Sequence, residues 1–260
     1  MKAYEDYTVH KFTYAELKEK YGKSTPTIRK HFDSLNLAEL KSGLERLEEV
    51  NLVFDASHFE REFCLFLFRS NKTNIHYGFK DSEKIIYYEE ALREISQKYK
   101  ILSFTIDGRK GVIQLLESLF PHIPIQLCHF HLVKNVLKYT TKRPKTECGQ
   151  ELRKLILELK SSSEESFTNK YTKLKKKYQK FLQEKNEAGK FAHTRLRSAF
   201  RSIKTQLPYI FTFEKFSHLK IEKTTNSCDG YFSHLKTKVN VHRGISTRRK
   251  IQLIIKLLSE

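Results

Sequence analysis

Two aspartates each close an apolar run. Glu49–Asp55 reads EVNLVFD, and Ile101–Ile106 (ILSFTI) runs directly into Asp107-Gly108. Brought together, two such carboxylates repel one another unless a cation lies between them. All-oxygen ligands favour a hard cation, Mg²⁺ or Mn²⁺. A third acid from a helix would complete a site for two ions, the arrangement that suits attack on a phosphodiester. Either acid alone could equally cap a loop. Cys128-x-x-His131 offers a second constellation. It is half of a zinc site if His234 or His242 completes it. Otherwise Cys128 packs in the core and His131 makes a polar contact near the acids.

The elements that must position these residues follow from the apolar periodicity. Arg61–Arg69 and Thr73–Phe79 read as strands joined by a turn at Ser70-Asn71. Residues 82–97 form an amphipathic helix, 111–120 and 129–139 form two more, and 123–127 is a fifth strand. Three hairpin-connected strands followed by βα units predict a mixed five-stranded sheet with helices on both faces. That order is the one a ribonuclease-H-like α/β core requires. It places the first and fourth strands side by side, so Asp55 and Asp107 approach at their carboxyl ends.

On either side of this core the chain reads as helical. Residues 12–33 suggest two short helices, with Thr13 and Glu16 at capping-box spacing and a break at Gly22. Thr25-Pro26 would restart the second helix. The pair is a helix-turn-helix exposing Thr27, Arg29 and Lys30, or an ordinary hairpin. Residues 146–206 are helical throughout, Pro208 ends that stretch, and 209–223 read as irregular. Phe167, Tyr171, Leu174, Tyr178 and Phe181 recur at helical steps there, as core or as stacking platforms. Two helices, 227–239 and 246–258, close the chain; Asn226 is the expected cap of the first.

Charge divides the molecule. Residues 1–133 carry 19 Lys/Arg and 19 Asp/Glu; residues 134–260 carry 30 and 11, and so hold the entire net +19. The basic half implies a polyanionic partner. Its candidate phosphate contacts are Lys173, Lys175, Lys176, Lys177, Arg195, Arg197 and Arg201, then Arg243, Arg248 and Arg249. No run approaches the roughly 18–20 apolar residues of a membrane helix. The N-terminus lacks a signal-peptide pattern. Four scattered cysteines suggest reduced thiols. A P-loop is absent.

Asp107-Gly108, the segment Gln126-Leu127-Cys128-His129-Phe130-His131, and Thr224-Thr225-Asn226-Ser227-Cys228-Asp229-Gly230 together resemble DDE-type transposases of bacterial insertion sequences in the Mutator-like superfamily. The resemblance spans roughly residues 50–258. It implies that Asp55, Asp107 and Asp229 are the catalytic and metal-binding acids. Cys128, His131, Thr224, Thr225 and Asn226 would be motif residues near them. The sequence departs at one place, since the family's third acid is normally Glu. Asp229 reaches about 1.5 Å less far, and a misplacement of roughly 1 Å can cost about a hundredfold in rate. Glu222 is a more remote candidate.

These readings predict four segments: 1–45, helical; 46–142, the first part of the core; 143–221, a basic helical insertion between the second and third acids; and 222–260, helices completing the core. The resemblance implies a DNA transposase with two Mg²⁺ (or Mn²⁺) ions, cleaving double-stranded element ends and transferring strands to target DNA. It would act as a homo-oligomer on DNA, in the cytoplasm at the nucleoid. A nuclease without strand transfer and an inactive, domesticated DNA-binding descendant are the alternatives.

Overall fold

The computed structural model describes residues 2–8, 10, 12–34, 49–242 and 244–259. Arg243, and residues 35–45 of the N-terminal segment, lie outside these.

Three short helices come first: α1 (Lys2–Thr8), α2 (Tyr14–Tyr21) and α3 (Thr25–Ser34). The capping box forms as expected: the Thr13 N–H donates to Glu16 at 2.5 Å and the Glu16 N–H to Thr13 Oγ1 at 3.3 Å. Gly22, at φ +62°, ends α2 with the left-handed residue that such a stop requires. Helix α3 restarts at Thr25 as expected, and Ser24 Oγ, one residue before it, accepts from the Thr27 N–H at 3.4 Å. Leu17, Ile28 and Phe32 form an apolar seam that Tyr4 and Tyr7 of α1 close.

The sheet contains β1 (Glu49–Phe59), β2 (Phe63–Ser70), β3 (Thr73–Lys80), β4 (Lys100–Ile106) and β5 (Ile125–Leu127), in the order β3-β2-β1-β4-β5. β1–β3 are antiparallel; β4 and β5 run parallel to β1. Helices α4 (Ile85–Ser96) and α5 (Lys110–Leu119) connect the later strands, and α6 (His129–Thr140) leaves β5. The mixed five-stranded α/β architecture is thus the expected one. One expectation about β1 is corrected. Asp55 does not end the strand but sits inside it. Pairing with β4 stops at Val53↔Thr105, whereas pairing with β2 continues from Asp55↔Leu67 to Phe59↔Phe63. Stacking of Phe59 on Phe63, 5.2 Å apart, rewards that continuation.

The helical stretch resolves into α7 (Glu147–Glu158), α8 (Glu164–Lys177), α9 (Gln179–Gln183), α10 (Thr194–Ile210) and α11 (Thr212–Lys215). Pro208 does not end α10, which continues to Ile210. Proline removes only the bond to the Lys204 carbonyl, and both residues are exposed, so water can satisfy that oxygen. Residues 209–223 are also more ordered than expected, with α11 and a 3-10 turn at Ser217–Leu219. Helices α12 (Asn226–Val241) and α13 (Thr247–Ser259) follow.

Strand alternation assigns each residue a side. Leu52, Phe54, Phe66 and Phe68 face the core shared with α4, α5, α6 and the basic helices. Val53, Leu65 and Leu67 face α12 and α13, meeting Cys228, Phe232, Leu235 and Val239 at helical spacing. Each such large apolar side chain contributes about 1.5–3 kcal/mol on burial. Asp55 shares the parity of Val53, so it points towards α12.

Candidate active site

Val53 and Thr105 are the last parallel partners of β1 and β4. Asp55 and Asp107 lie two residues beyond each, in matching register and with matching parity. Asp55 Oδ1 accepts from the Ala56 N–H at 2.8 Å, and Asp107 Oδ1 from the Arg109 N–H at 3.0 Å. Gly108, at φ +92°, makes the turn after Asp107, and a Cβ there would sit 3.4 Å from Gln206 Oε1.

β5 delivers Cys128 as the residue capping α6, its N–H donating to the Ile106 carbonyl at 2.8 Å. His131 follows in the first turn. On the other side, α12 is held to the sheet by Cys228, whose Sγ lies 3.7 and 3.9 Å from the carbonyls of Val53 and Leu67. Arg69 adds a guanidinium bond to the Ser227 carbonyl and lies over the Tyr231 ring, 4.6 Å from its centroid. Asp229 thereby projects from the first turns of a fixed helix. The cap of α12 is Thr225 rather than the expected Asn226, which is exposed and already helical.

Thr225 is fully buried and joins the motif residues. Its Oγ1 lies 3.0 Å from Asp229 Oδ2, 3.2 Å from His131 Nδ1 and 3.4 Å from Cys128 Sγ; its N–H also donates to that sulfur at 3.3 Å. A hydroxyl has one proton to give and lone pairs to receive another. Donation to the nearest acceptor, Asp229, lets Thr225 accept from His131.

Ligand atoms of Asp55, His131 and Asp229 all lie within 4.8 Å of one another. Two of the three expected acids thus share a tight group with His131, and the third, Asp107, lies close enough for its charge to act on Asp55. Burial, then the Asp107 charge, pushes the Asp55 carboxyl up to about 7 against the Ala56 N–H and the His131 charge. His131 is raised to about 9, first by its bond with Cys128, against burial, and then by the charges of Cys128, Asp229 and Asp55. Burial works to raise Cys128, but bonds from His131 and Thr225 bring it below its ordinary value. The charged form of His131 is thus favoured by Cys128 first and by Asp229 and Asp55 after it. The proposed zinc partners are elsewhere: His242 packs on Tyr7, 4.2 Å between ring centroids, and His234 is exposed on α12. Glu222 is raised by burial and answers to Ser227 and Arg69 instead.

The model of the Mutator family of transposases matches residues 80–241, more than half of the chain. The chain belongs to that family. The match takes in Asp107, Cys128, His131, Thr225 and Asp229 of this transposase, together with its basic helices; Asp55 and the N-terminal helices precede it. A comparison with curated proteins finds no match.

Two side chains whose part the motif alone did not reveal tie the basic helices of this transposase to β5 and α6. Gln126 Nε2 donates to the Ile210 carbonyl at 2.9 Å, and Gln126 Oε1 accepts from the Phe213 N–H at 3.0 Å. His129 Nε2 meets the same Ile210 carbonyl at 2.5 Å. A buried Gln and His flanking Cys128 were the available signal, since such groups require partners. Among the expected phosphate contacts, Lys173, Lys175, Lys176 and Arg201 are exposed. Lys177 pairs with Glu151 at 2.6 Å and Glu147 at 3.3 Å. Arg195 donates to the Lys138 carbonyl, and Arg197 to the Leu182 carbonyl. Arg248 is exposed and Arg249 partly so, both on α13.

Proposed function

We propose that this transposase cleaves phosphodiesters at the ends of its element and transfers the freed 3′-hydroxyl to target DNA. The observation that carries the reading is the grouping of Asp55, His131 and Asp229 beside Asp107. The strand order β3-β2-β1-β4-β5 supports a ribonuclease-H-like core around it. Family membership supports DNA as the substrate.

The donor set fits a divalent cation. Two carboxylates converge, and one is held near neutrality by burial and a neighbouring like charge, a cost that a cation removes. Mg²⁺ or Mn²⁺ held there would supply Lewis-acid activation of a hydroxyl and of the scissile phosphate. Asp55 and Asp229 are the ligands proposed for a first ion, and Asp107 with Asp55 for a second. Thr225 orients Asp229 and His131 through one hydroxyl. His131 supplies positive charge against the two carboxylates until the ions arrive. Exposed Lys173, Lys175, Lys176 and Arg201 hold the DNA backbone, and Thr27, Arg29 and Lys30 on exposed positions of α3 are offered to a groove. Transposition joins two ends, so the working form is a homo-oligomer on DNA.

The test is metal-dependent cleavage and joining of DNA that carries the flanks of the reading frame. Asp55→Ala and Asp107→Ala should each abolish both steps while DNA binding persists. Cleavage without joining would identify a nuclease. Metal-independent binding with no cleavage under any condition would identify a DNA-binding descendant, the reading that the Asp at position 229 favours.

A further inference from the structure

A cleft of about 620 Å³ opens between α8, α9 and α10, away from the carboxylates. Five cations line it: Lys175 and Lys176 from α8, and Arg197, Arg201 and Lys204 from α10. No acidic side chain lines it. Lys175, Lys176, Arg201 and Lys204 are exposed, and none of them forms an ion pair among the described residues. Tyr171, Leu182 and Phe200 form an apolar floor, and the amides of Gln179 and Gln183 complete the wall.

The composition is unlike a plain phosphate-binding surface. A surface that only grips a duplex backbone needs cations and no floor. A concave apolar base with a few convergent polar groups is the usual form of a small-ligand pocket, and about 300–1,000 Å³ is the usual size. A duplex is too broad to enter it. One unpaired nucleotide fits the chemistry, with its phosphate on the cationic rim, its base over the floor, and its edge against carboxamides, which pair with base donors and acceptors.

The position is consistent with the site of reaction. On α10, Arg197, Arg201 and Lys204 share one face, and Ala199, Ile203, Gln206 and Ile210 share the other. The second face reaches the active site: Gln206 lies beside Gly108, and the Ile210 carbonyl receives Gln126 and His129. The cleft and the turn that follows Asp107 thus lie against opposite faces of one helix, α10.

We propose that the cleft between α8, α9 and α10 binds an unpaired nucleotide of the DNA on which the transposase acts. The inference rests on DNA being the substrate, but not on catalysis. It assigns Gln179, Gln183 and Lys204 a binding role in addition to the cations already named.

The experiment measures affinity of the full chain, with chelator present, for three fluorescent DNAs. One is a blunt duplex, the second carries a three-nucleotide single-stranded overhang, and the third carries the same overhang without bases. The overhang should bind about tenfold more tightly than the blunt duplex, and the abasic overhang should lose most of that gain. The charge-neutral double variant Gln179→Ala/Gln183→Ala should lose the overhang preference and keep its affinity for blunt duplex. Lys204→Glu should weaken all three. Equal binding of abasic and normal overhangs would overturn the inference, leaving phosphate contact alone. Duplex binding without overhang preference would overturn it while sparing the DNA reading. Failure to bind any DNA would overturn both.

Discussion

At the scale of single residues, the site turns on two polar centres, Asp55 and Thr225. A carboxyl raised to about 7 in the folded chain keeps its proton there at pH values where the unfolded chain has released it. The folded state therefore binds more protons, and metal-free stability falls as pH rises from the ordinary carboxylate range through about 7. Asp55→Asn removes that cost. In chelator at pH 8 the variant should be more stable than wild type by on the order of 1–3 kcal/mol. The gap should close near pH 4, as followed by urea unfolding. A variant that is less stable at both pH values would contradict the electrostatic account. Thr225→Val keeps the shape and deletes the hydroxyl that joins Asp229 and His131. Loss of such an orienting partner should lower metal affinity or activity by about 10–100-fold, with the fold retained. Unchanged cleavage kinetics would show that Asp229 needs no such hold.

At the scale of elements, α12 is the piece that brings a late residue onto an early strand. Leu235 is fully buried in its contact with the sheet, and Leu235→Ala should cost about 2–5 kcal/mol in chemical denaturation. The same variant should reduce cleavage beyond what instability explains, since it loosens the helix that carries Asp229. These elements were legible in the sequence to different degrees. The β strands were readable because apolar runs such as FCLFLF are buried along their whole length. The length of β1 was not, because Asp55-Ala56-Ser57-His58 has no apolar pattern and is held in the sheet by β2 alone. The end of α10 was misread because a proline near a helix terminus costs only one exposed bond. Asp55 and Asp107 could be paired from strand order. His131 beside the acids, with Cys128 in the core, was one of two readings of that pair; what decides it is how α6 leaves β5 and the bond to Thr225, 94 positions away. Gly108→Ala tests the turn between β4 and α5. A non-glycine residue at φ +92° is strained, even though the new methyl would meet Gln206 at ordinary contact distance, 3.4 Å. Loss of activity should exceed loss of stability.

At the scale of the whole molecule, the balanced front half carries Asp55 and Asp107, and the basic back half carries Asp229 and the whole excess of positive charge. The acids and the excess of positive charge are thus largely segregated along the chain, and α12, Gln126 and His129 bring the two parts together. No helix among the described residues is long and apolar enough to cross a membrane. Lys175→Ala/Lys176→Ala should weaken DNA binding at moderate salt and reduce the log–log salt slope by about 1–2. An unchanged slope would place the DNA on another face. The proposed function depends on a cation-binding centre where β1, α6 and α12 meet. Its most direct test is titration of the metal-free protein with Mn²⁺, followed by electron paramagnetic resonance or calorimetry. Wild type should bind Mn²⁺ saturably, and Asp55→Asn and Asp229→Asn should each lose that binding while remaining folded. Saturable binding that survives both substitutions, or a wild-type protein that binds no Mn²⁺ at all, would contradict it.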